Sequence, residues 1–319
     1  MNTSKTINGI EFYNALVSGI SNVISHYEYL NKINVFPVPD GDTGTNLMFT
    51  LKPITQIDKD KIKTHLGETL KLISDLAIDS ARGNSGTIMA QYFIGMSEVS
   101  SDFENLSNQN LSKILDAGYN AAKDSMSDPK EGTIITVMKD IVNISQNQKN
   151  NDDILATFED IYNESIISLN NTPKQMQLLK DSGVVDAGAQ GFVNLLEGLC
   201  YYLKNKEFIN PESIDDSDIE ETENTINIEN YDQSSYQFCT ECLIEGNNID
   251  RKLMKGKLTE MGDSFILAGT KSKVKIHIHT DSPQKVFKFC QEFGEVKNQK
   301  ADDMHQQVAS SHDTNSKIA

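Results

Sequence analysis

The stretch Pro39-Asp40-Gly41-Asp42-Thr43-Gly44-Thr45-Asn46 places two aspartates, separated by one glycine, immediately before an apolar segment of helical character. Two carboxylates held this close repel each other unless a cation lies between them. Mg²⁺ favours one or two carboxylates and keeps its other positions for water and substrate phosphate. The N–H groups that begin the following helix point toward the same place. The pattern predicts a metal-dependent polyphosphate site, although a lone turn of this kind can also serve only as a helix cap.

The composition favours a cytoplasmic protein with two domains. The chain has 319 residues, which suffices for two domains of ordinary size. Its 46 acidic residues outnumber its 29 basic ones, which argues against binding to nucleic acid or to an anionic membrane. No apolar run reaches the length of a membrane span, so we expect no stable membrane insertion. The four cysteines suit reduced thiols or a metal site rather than a disulfide framework.

The first two thirds of the chain have the spacing of helices, because apolar residues recur there every three or four positions. Short connections between such helices imply antiparallel neighbours in an up-and-down bundle or barrel. We expect eight helices, at about 8–30, 46–55, 66–77, 86–96, 111–122, 133–145, 153–169 and 190–203.

The glycine-bearing loops of this region all fall at alternate connections, which emerge at the same end of an up-and-down bundle. These loops are 39–46, 82–86, 130–133 and 185–191. Each one precedes a helix, so four helix N-termini would face one place. A bound anion explains this arrangement better than four independent caps do.

The sequence changes character after about residue 207. An acidic stretch without lysine, 208–228, predicts a linker. Residues 229–300 have the order β-α-β-β-α-β, which predicts a small ferredoxin-like α/β domain, and residues 301–319 predict a polar tail. We expect strands at 236–243, 264–268, 274–279 and 295–297, and helices at 249–261 and 283–293. The chain lacks both a Walker A motif and an EF-hand pattern, so a nucleotide site must be of the helical-bundle kind.

Three segments of the helical region resemble a known family. They are Asn34-Val35-Phe36-Pro37-Val38-Pro39-Asp40-Gly41-Asp42-Thr43-Gly44-Thr45-Asn46, Ala81-Arg82-Gly83-Asn84-Ser85-Gly86 and Gly183-Val184-Val185-Asp186-Ala187-Gly188-Ala189-Gln190-Gly191. They are similar to the ATP-binding subunit of bacterial fatty acid kinase, whose first domain resembles the L-subunit of dihydroxyacetone kinase. The resemblance covers about 7–204 and continues at Cys239-Thr240-Glu241 and Lys275-Ile276-His277-Ile278-His279-Thr280. It implies an eight-helix barrel that holds ATP or ADP through two Mg²⁺ ions.

The resemblance also implies roles for individual residues. Asp40 and Asp42 would bind the Mg²⁺ pair, with Asn34 as a weaker further ligand where dihydroxyacetone kinases have an aspartate. Arg82 would either steady phosphate charge or pair with a neighbouring helix end. The residues that would contact phosphate or complete the nucleotide pocket are Thr43, Gly44, Thr45, Asn46, Ser85, Gly86, Thr133, Asp186 and Gly188.

The second domain contains a candidate metal site. His277 and His279 alternate along a predicted strand and therefore share a face, and Cys239 on a neighbouring strand can complete a set of three ligands. The resemblance implies zinc at these positions, whereas Cys242 is expected on the opposite face. The alternative is a buried thiol beside two half-exposed imidazoles.

The activity implied by the resemblance is phosphorylation of a fatty acid carboxylate, which a DegV-like acyl-binding partner presents, to give an acyl phosphate. One alternative is a phosphotransferase of the dihydroxyacetone kinase (glycerone) type, and another is a non-catalytic nucleotide-binding scaffold or regulator. We also expect a homodimer. Lys317-Ile318-Ala319 resembles the first residues of a DegV-like domain. We therefore expect either that residue 319 is a natural C-terminus or that the chain is part of a longer protein fused to such a domain. Without a further docking domain we expect it to bind ATP but to transfer phosphate slowly.

Overall fold

The structure is a computed structural model that describes residues 4–209 and 236–304. Within these ranges the chain forms a helical domain, followed by a smaller domain built on a four-stranded sheet. No described helix has the length and apolar character needed to cross a membrane. Most of the linker predicted at 208–228 and most of the tail predicted at 301–319 lie outside the described residues.

Helices account for most of the first domain. A short antiparallel pair, β1 (Ile7–Asn8) and β2 (Asn105–Leu106), lies beside them. The helices are α1 (Gly9–Ser25), α2 (Tyr27–Lys32), α3 (Thr43–Leu51), α4 (Leu66–Ser80), α5 (Gly83–Glu98), α6 (Asn108–Ser125), α7 (Ile134–Asn147), α8 (Ile154–Gln175), α9 (Gln177–Ser182) and α10 (Ala187–Asn205).

The described part of this domain therefore has ten α-helices, and two short 3-10 helices at Lys52–Gln56 and Lys59–Lys61, rather than the predicted eight helices. The first predicted helix, 8–30, is interrupted at His26, whose ring Nδ1 lies 2.8 Å from the Asn22 carbonyl oxygen and whose φ of −104° departs from helical geometry. The helix predicted at 153–169 continues through Pro173 to Gln175. Its last turn is held by tertiary contact, since the Asp186 N–H donates to Thr172 Oγ1 at 3.2 Å.

The small domain consists of β3 (Phe238–Glu245), α11 (Arg251–Leu258), β4 (Asp263–Gly269), β5 (Lys273–Thr280), α12 (Pro283–Cys290) and β6 (Glu295–Asp303). Its strand order is β4-β5-β3-β6, with every neighbouring pair antiparallel. This is the order that the β-α-β-β-α-β pattern predicts for a ferredoxin-like domain. Strand β6 is longer than the predicted 295–297 and takes up the start of the predicted tail.

The two faces of the sheet pack against different partners. Phe265 and Leu267 of β4 belong to the core of the small domain, with α11 and α12, whereas the intervening Ile266 and Ala268 join the core of the helical domain. Successive side chains of a strand point to opposite faces. In register with Ile266 lie His277 of β5 and then Glu241 of β3. The face that carries these polar residues is therefore turned toward the helical domain.

Several contacts fix the sheet in this position. The Ser127 N–H donates to the Phe265 carbonyl at 2.9 Å, and the Gly269 N–H donates to Gln91 Oε1 at 2.6 Å. Lys255 on α11 donates to the Met126 carbonyl at 2.8 Å. Because these contacts are spread along β4 and α11, no single one of them determines how the domains pack.

Helices α1 and α10 approach closely through glycines, which yields a test of the packing. A Cβ added at Gly19 would lie 2.3 Å from the Leu195 carbonyl oxygen, so the helices would have to separate. We expect Gly19→Ala to lower the free energy of unfolding by about 1–3 kcal/mol in urea titrations. The control is Gly256→Ala on α11, where a Cβ meets nothing within 4 Å and alanine favours the helix by up to about 1 kcal/mol. Equal stability of the two variants would contradict the close packing of α1 and α10.

Candidate functional site

The aspartate turn lies between α2 and α3, at the edge of a cleft between the two domains. Gly41 has a φ of +66°, a conformation that glycine adopts without the strain of a side chain. Asp42 is the N-cap residue of α3, yet its side chain makes no capping hydrogen bond. Both Asp40 and Asp42 line the cleft. The turn therefore presents its two carboxylates to the cleft instead of using them to cap the helix.

Burial and the neighbouring Asp42 both affect the ionisation of Asp40. Removal from water raises the pKa of Asp40 to about 8, and the negative charge of Asp42 adds to the rise. A hydrogen bond from Asn34 opposes it. A divalent cation between the carboxylates would offset both the desolvation and the repulsion. The donor set therefore fits Mg²⁺, which takes oxygen ligands.

Asn34 supports the turn through its whole amide group. Its Nδ2 donates to the Val38 carbonyl at 3.0 Å and to Asp40 Oδ1 at 2.8 Å. Its Oδ1 accepts from the Thr43 hydroxyl at 2.5 Å. The amide oxygen is thus already engaged, so the predicted role of Asn34 as a metal ligand competes with this hydrogen bond.

The first turn of α3 contributes Thr43 to the lining of the cleft, whereas Gly44, predicted to contact phosphate, is buried and is not one of the residues that line the cleft. The Thr45 N–H donates to Asn31 Oδ1 at 3.0 Å, and the Asn46 N–H donates to the Asp42 carbonyl at 2.8 Å. The phosphate contacts predicted for Thr45 and Asn46 would therefore involve their side chains, since both residues line the cleft.

The loop that begins α5 is pinned by several partners. The Arg82 N–H donates to Thr50 Oγ1 at 3.1 Å, and Ser85 Oγ donates to the Thr43 carbonyl at 3.3 Å. The Gly83 N–H donates to Glu241 Oε1, on the second domain, at 2.7 Å. Gly86, also predicted to contact phosphate, lines neither the cleft nor the neighbouring cavity, and its N–H donates to the Arg82 carbonyl at 3.1 Å. A Cβ at Gly86 would lie 2.0 Å from Thr50 Oγ1, so this glycine is required for packing.

Asn84 is a site residue that the sequence motifs did not single out. Its side-chain Oδ1 is buried and has no hydrogen-bond partner among the described residues. Asn84 lines both the cleft and a neighbouring cavity. A buried amide oxygen without a partner is costly, so this atom is a candidate acceptor for a ligand. Its position inside the Gly83–Gly86 motif was the available signal.

The neighbouring cavity, of about 700 Å³, is more apolar than the cleft and shares Pro37, Thr43, Asn84 and Ser85 with it. The predicted residues Thr133, Asp186 and Gly188 line this cavity. Its apolar lining comes from both domains and includes Phe36, Ile88, Met126, Ile134, Phe265 and Ile266.

Asp186 has a structural use of its own within this cavity. Its Oδ2 accepts from the Ala189 N–H at 2.8 Å and from the Ile134 N–H at 3.0 Å, so it caps both α10 and α7. Burial raises the pKa of Asp186 to about 6 in spite of these two hydrogen bonds. Its first contribution to the site is therefore to place the starts of two helices side by side.

The second domain brings together Cys239, His277 and His279, whose ligand atoms all lie within 4.8 Å of one another. Both histidines are buried, and Cys239 is half-buried. One sulfur and two imidazole nitrogens are donors that Zn²⁺ accepts. Cys242 lies on the opposite face of β3, where its Sγ is 3.7 Å from Cys290 Sγ in the core of the small domain.

Glu241 is the second residue that the sequence motifs did not single out. Its carboxylate is buried, with Oε1 3.0 Å from His277 Nδ1 and Oε2 3.1 Å from Lys275 Nζ. Burial opposes ionisation, but the hydrogen bond from His277 and the charges of His277 and Lys275 hold the pKa of Glu241 well below its ordinary range. The carboxylate is therefore charged and also bonded to the Gly83 loop.

The carboxylate turn and the Cys-His-His cluster open into one cleft of about 740 Å³. The sequence motifs predict them as separate sites in separate domains. The structure joins them because the polar face of the sheet covers the starts of α3 and α5. Lys300 and Asp302 of β6 complete this side of the cleft.

Arg82 also lines the cleft. Its guanidinium carbon lies 4.8 Å from the centre of the Phe49 ring, and Phe49 is exposed. This cation–π contact holds the positive charge at the edge of the cleft. Both roles expected for Arg82, steadying phosphate charge and pairing with a helix end, stay predictions.

Comparison with known proteins identifies the class. Residues 37–201 match the DAK2 domain model, so the chain belongs to the DAK2-domain family. Residues 235–311 match the model of the middle domain of FakA-like fatty acid kinase proteins. The chain is thus a fatty acid kinase-like protein of the FakA type in its domain composition.

Individual relatives are similar over most of this chain. The chain is 31% identical over 308 residues to an uncharacterized protein of Staphylococcus saprophyticus, and 32% identical over 308 residues to one of Staphylococcus aureus strain USA300. Each alignment covers 94% of this chain and 56% of the relative, so the chain spans little more than half the length of these proteins. Among solved structures, the dihydroxyacetone kinase of C. freundii in complex with AMP-PNP and Mg²⁺ aligns with a TM-score of 0.47 and 18% identity, over 63% of this chain and 35% of that chain.

The raised pKa of Asp40 makes the stability of the metal-free protein depend on pH. The folded value of about 8 lies above the ordinary value of 3.8, so the folded state retains a proton that the unfolded state has lost. The stabilising contribution of this proton is complete below about pH 4 and is lost as the pH rises through about 8. We therefore expect the protein in EDTA to melt at progressively lower temperature than Asp40→Asn between pH 5 and pH 8.

Thermal melts of the unaltered protein and of Asp40→Asn across this pH range measure the difference in melting temperature. Added Mg²⁺ should remove that difference at pH 8. Asp75→Asn, at an exposed position on α4, is the matched control and should show no such trend. If the difference in melting temperature between the unaltered protein and Asp40→Asn does not vary with pH, the pKa of Asp40 is not raised.

Proposed function

We propose that this chain is an ATP-dependent phosphotransferase subunit that phosphorylates a fatty acid carboxylate presented by a DegV-like acyl-binding partner. The observation that carries the proposal is the pair Asp40 and Asp42, which opens with the first turns of α3 and α5 into one cleft. Membership of the DAK2-domain family and the fatty acid kinase-like second domain support this function.

The shape of the site suits a nucleoside triphosphate. The polar cleft would hold the phosphates, because the first N–H groups of α3 and the N–H groups of Asn84 and Ser85 lie at helix N-termini. The adjoining apolar cavity would hold the nucleoside, with Ile134 and Ile266 among its walls. Asn84 Oδ1 lies between the two regions and would accept a hydrogen bond from the bound nucleotide.

Asp40 and Asp42 would hold magnesium, and the predicted second ion would need further oxygen atoms from the phosphates and water. Bound magnesium supplies charge neutralisation on the phosphates and fixes their geometry. Asn34, itself held by the Thr43 hydroxyl, keeps the Asp40 carboxylate oriented. Asn31 holds the first turn of α3 through Thr45. The contribution of the protein is therefore chiefly orientation.

A carboxylate acceptor needs no general base, since it is already ionised at neutral pH. Catalysis then consists of bringing a carboxylate oxygen to the terminal phosphate and balancing the negative charge. Arg82 is placed to help with the second task, because its guanidinium lies at the cleft edge on the exposed ring of Phe49. The acyl-binding partner would present its fatty acid at this edge.

The proposal is tested by two measurements on one set of proteins. Calorimetry should show Mg²⁺-dependent ATP binding that is lost in Asp42→Asn and retained in Asp75→Asn. Acyl phosphate, trapped with hydroxylamine, should form when this chain, ATP and a DegV-like protein loaded with fatty acid are combined. The same assay with the remaining segment of the longer relatives supplied in cis should show faster transfer.

The outcomes separate the alternatives. If dihydroxyacetone is phosphorylated in the presence of a K-subunit and no acyl phosphate forms, the acceptor is dihydroxyacetone (glycerone) and not a fatty acid. Tight ATP binding without turnover on either acceptor, even with the remaining segment present, would indicate a scaffold or regulator. Unaltered ATP affinity in Asp42→Asn would refute the site itself.

We further propose that Cys239, His277 and His279 hold zinc. Their donor set suits zinc, and the burial of both histidines would shield the ion from water. Elemental analysis of protein purified without added metal should find about one zinc per chain. His277→Ala should lose that metal and lower the melting temperature, whereas Cys242→Ala, on the opposite face of β3, should lower stability without loss of metal. Full zinc content in His277→Ala would show that the cluster is not a metal site.

A further inference from the structure

We propose that Glu241 is a positioning residue through which the second domain orients the loop at the start of α5 for nucleotide binding. The inference rests on the proposed function, because it assigns Glu241 a part in the same phosphate site. Among the described residues, Glu241 forms neither a hydrogen bond nor an ion pair with Asp40 or Asp42, the two carboxylates that are predicted to bind metal. Its action is exerted through the backbone of Gly83.

The contacts of the Glu241 carboxylate cross the domain boundary. Oε1 accepts the Gly83 N–H at 2.7 Å and lies 3.0 Å from His277 Nδ1, while Oε2 lies 3.1 Å from Lys275 Nζ. The side chain is only 6% exposed, so the bond to Gly83 is shielded from water. A hydrogen bond to a buried charged acceptor is among the stronger ones in proteins.

The recipient of this bond has little freedom. Gly83 has a φ of +60°, and a Cβ there would lie 2.1 Å from Asn46 Nδ2. The Gly83 backbone is thus packed against α3 and hydrogen-bonded to the second domain. The next two residues, Asn84 and Ser85, supply the N–H groups and the unpartnered amide oxygen that line the cleft. Fixing Gly83 therefore fixes the direction of the groups that would meet phosphate.

The bond to Gly83 is not needed to dock the domains. Contacts of Ser127, Gln91 and Lys255 hold the sheet along β4 and α11, away from the Gly83 loop. Within its own domain, Glu241 is already paired with Lys275 and His277. The contact with Gly83 comes in addition to the other docking contacts and to the ion pairs of Glu241, and its specific consequence is the geometry of the Gly83 loop.

The test compares three variants in which the charge of Lys275 is removed, so that no buried lysine is left unpaired. Lys275→Met is the reference. Glu241→Gln/Lys275→Met keeps an oxygen acceptor for the Gly83 N–H, and Glu241→Met/Lys275→Met replaces it with an apolar side chain of similar size. We expect the Met pair to bind Mg·ATP at least about tenfold more weakly than the Gln pair, which should stay near the reference.

A second readout follows the contact directly. In protein labelled with ¹⁵N-glycine, the Gly83 amide proton should move upfield in the Met pair and stay near its reference position in the Gln pair. Lys255→Met removes an inter-domain bond elsewhere and should change neither the Gly83 signal nor the ATP affinity. Melting temperatures identify any variant that fails to fold.

The two readouts distinguish the possible failures. Equal Mg·ATP affinity in the Gln and Met pairs, with the Gly83 signal displaced in the Met pair, would overturn the positioning role and leave a purely structural contact. An unmoved Gly83 signal would show that the contact does not form. If the reference variant and the wild-type chain bind no nucleotide at all, the proposed function fails and the positioning role fails with it, whereas the Gly83 signal still reports whether the contact forms.

Discussion

The packing of the sheet against α5, with its polar face across the cleft from the start of α3, is the interaction on which the whole cleft depends. Ile266 and Ala268 bury their side chains in the core of the helical domain, and this apolar contact holds the sheet in place. The alternation of β-strand side chains then turns Glu241, His277 and His279 toward the same domain. This hydrophobic contact thus places the polar face of the sheet opposite the aspartate turn, where it forms the other side of the cleft.

Electrostatics is the physical argument for a cation in this cleft. Asp40, Asp42, Glu241 and Asp302 all line it, in a chain whose formal net charge is −17. Glu241 is balanced by Lys275 and His277, whereas Asp40 retains a raised pKa because nothing comparable offsets its burial beside Asp42. A phosphate chain would meet repulsion here unless metal ions came with it. The same carboxylates that would repel a free anion would therefore favour a metal-bound one.

The glycines of the site motifs are explained by close approach. A Cβ at Gly44 would lie 2.0 Å from the Tyr27 carbonyl oxygen, and one at Gly86 would lie 2.0 Å from Thr50 Oγ1. Only a residue without a side chain allows α3 to cross α2, and α5 to cross α3, at these distances. The glycines thus set how near the helix starts can come to one another, and the N–H groups available for a ligand follow from that spacing.

The sequence by itself determined the helical and α/β domains, the β-α-β-β-α-β order, the aspartate turn and the residues of the Cys-His-His cluster, because these depend on local periodicity and on motifs. It did not determine the break at His26 or the extension of α8 through Pro173, since both depend on contacts that the pattern of apolar residues does not record. It also could not show that the two sites share a cleft, or that Glu241 and Asn84 belong to it. The shared cleft and the place of Glu241 and Asn84 in it depend on which face of the sheet meets the helices. The burial of Ile266 and Ala268 in the helical domain shows which face that is, and it is a property of the tertiary structure.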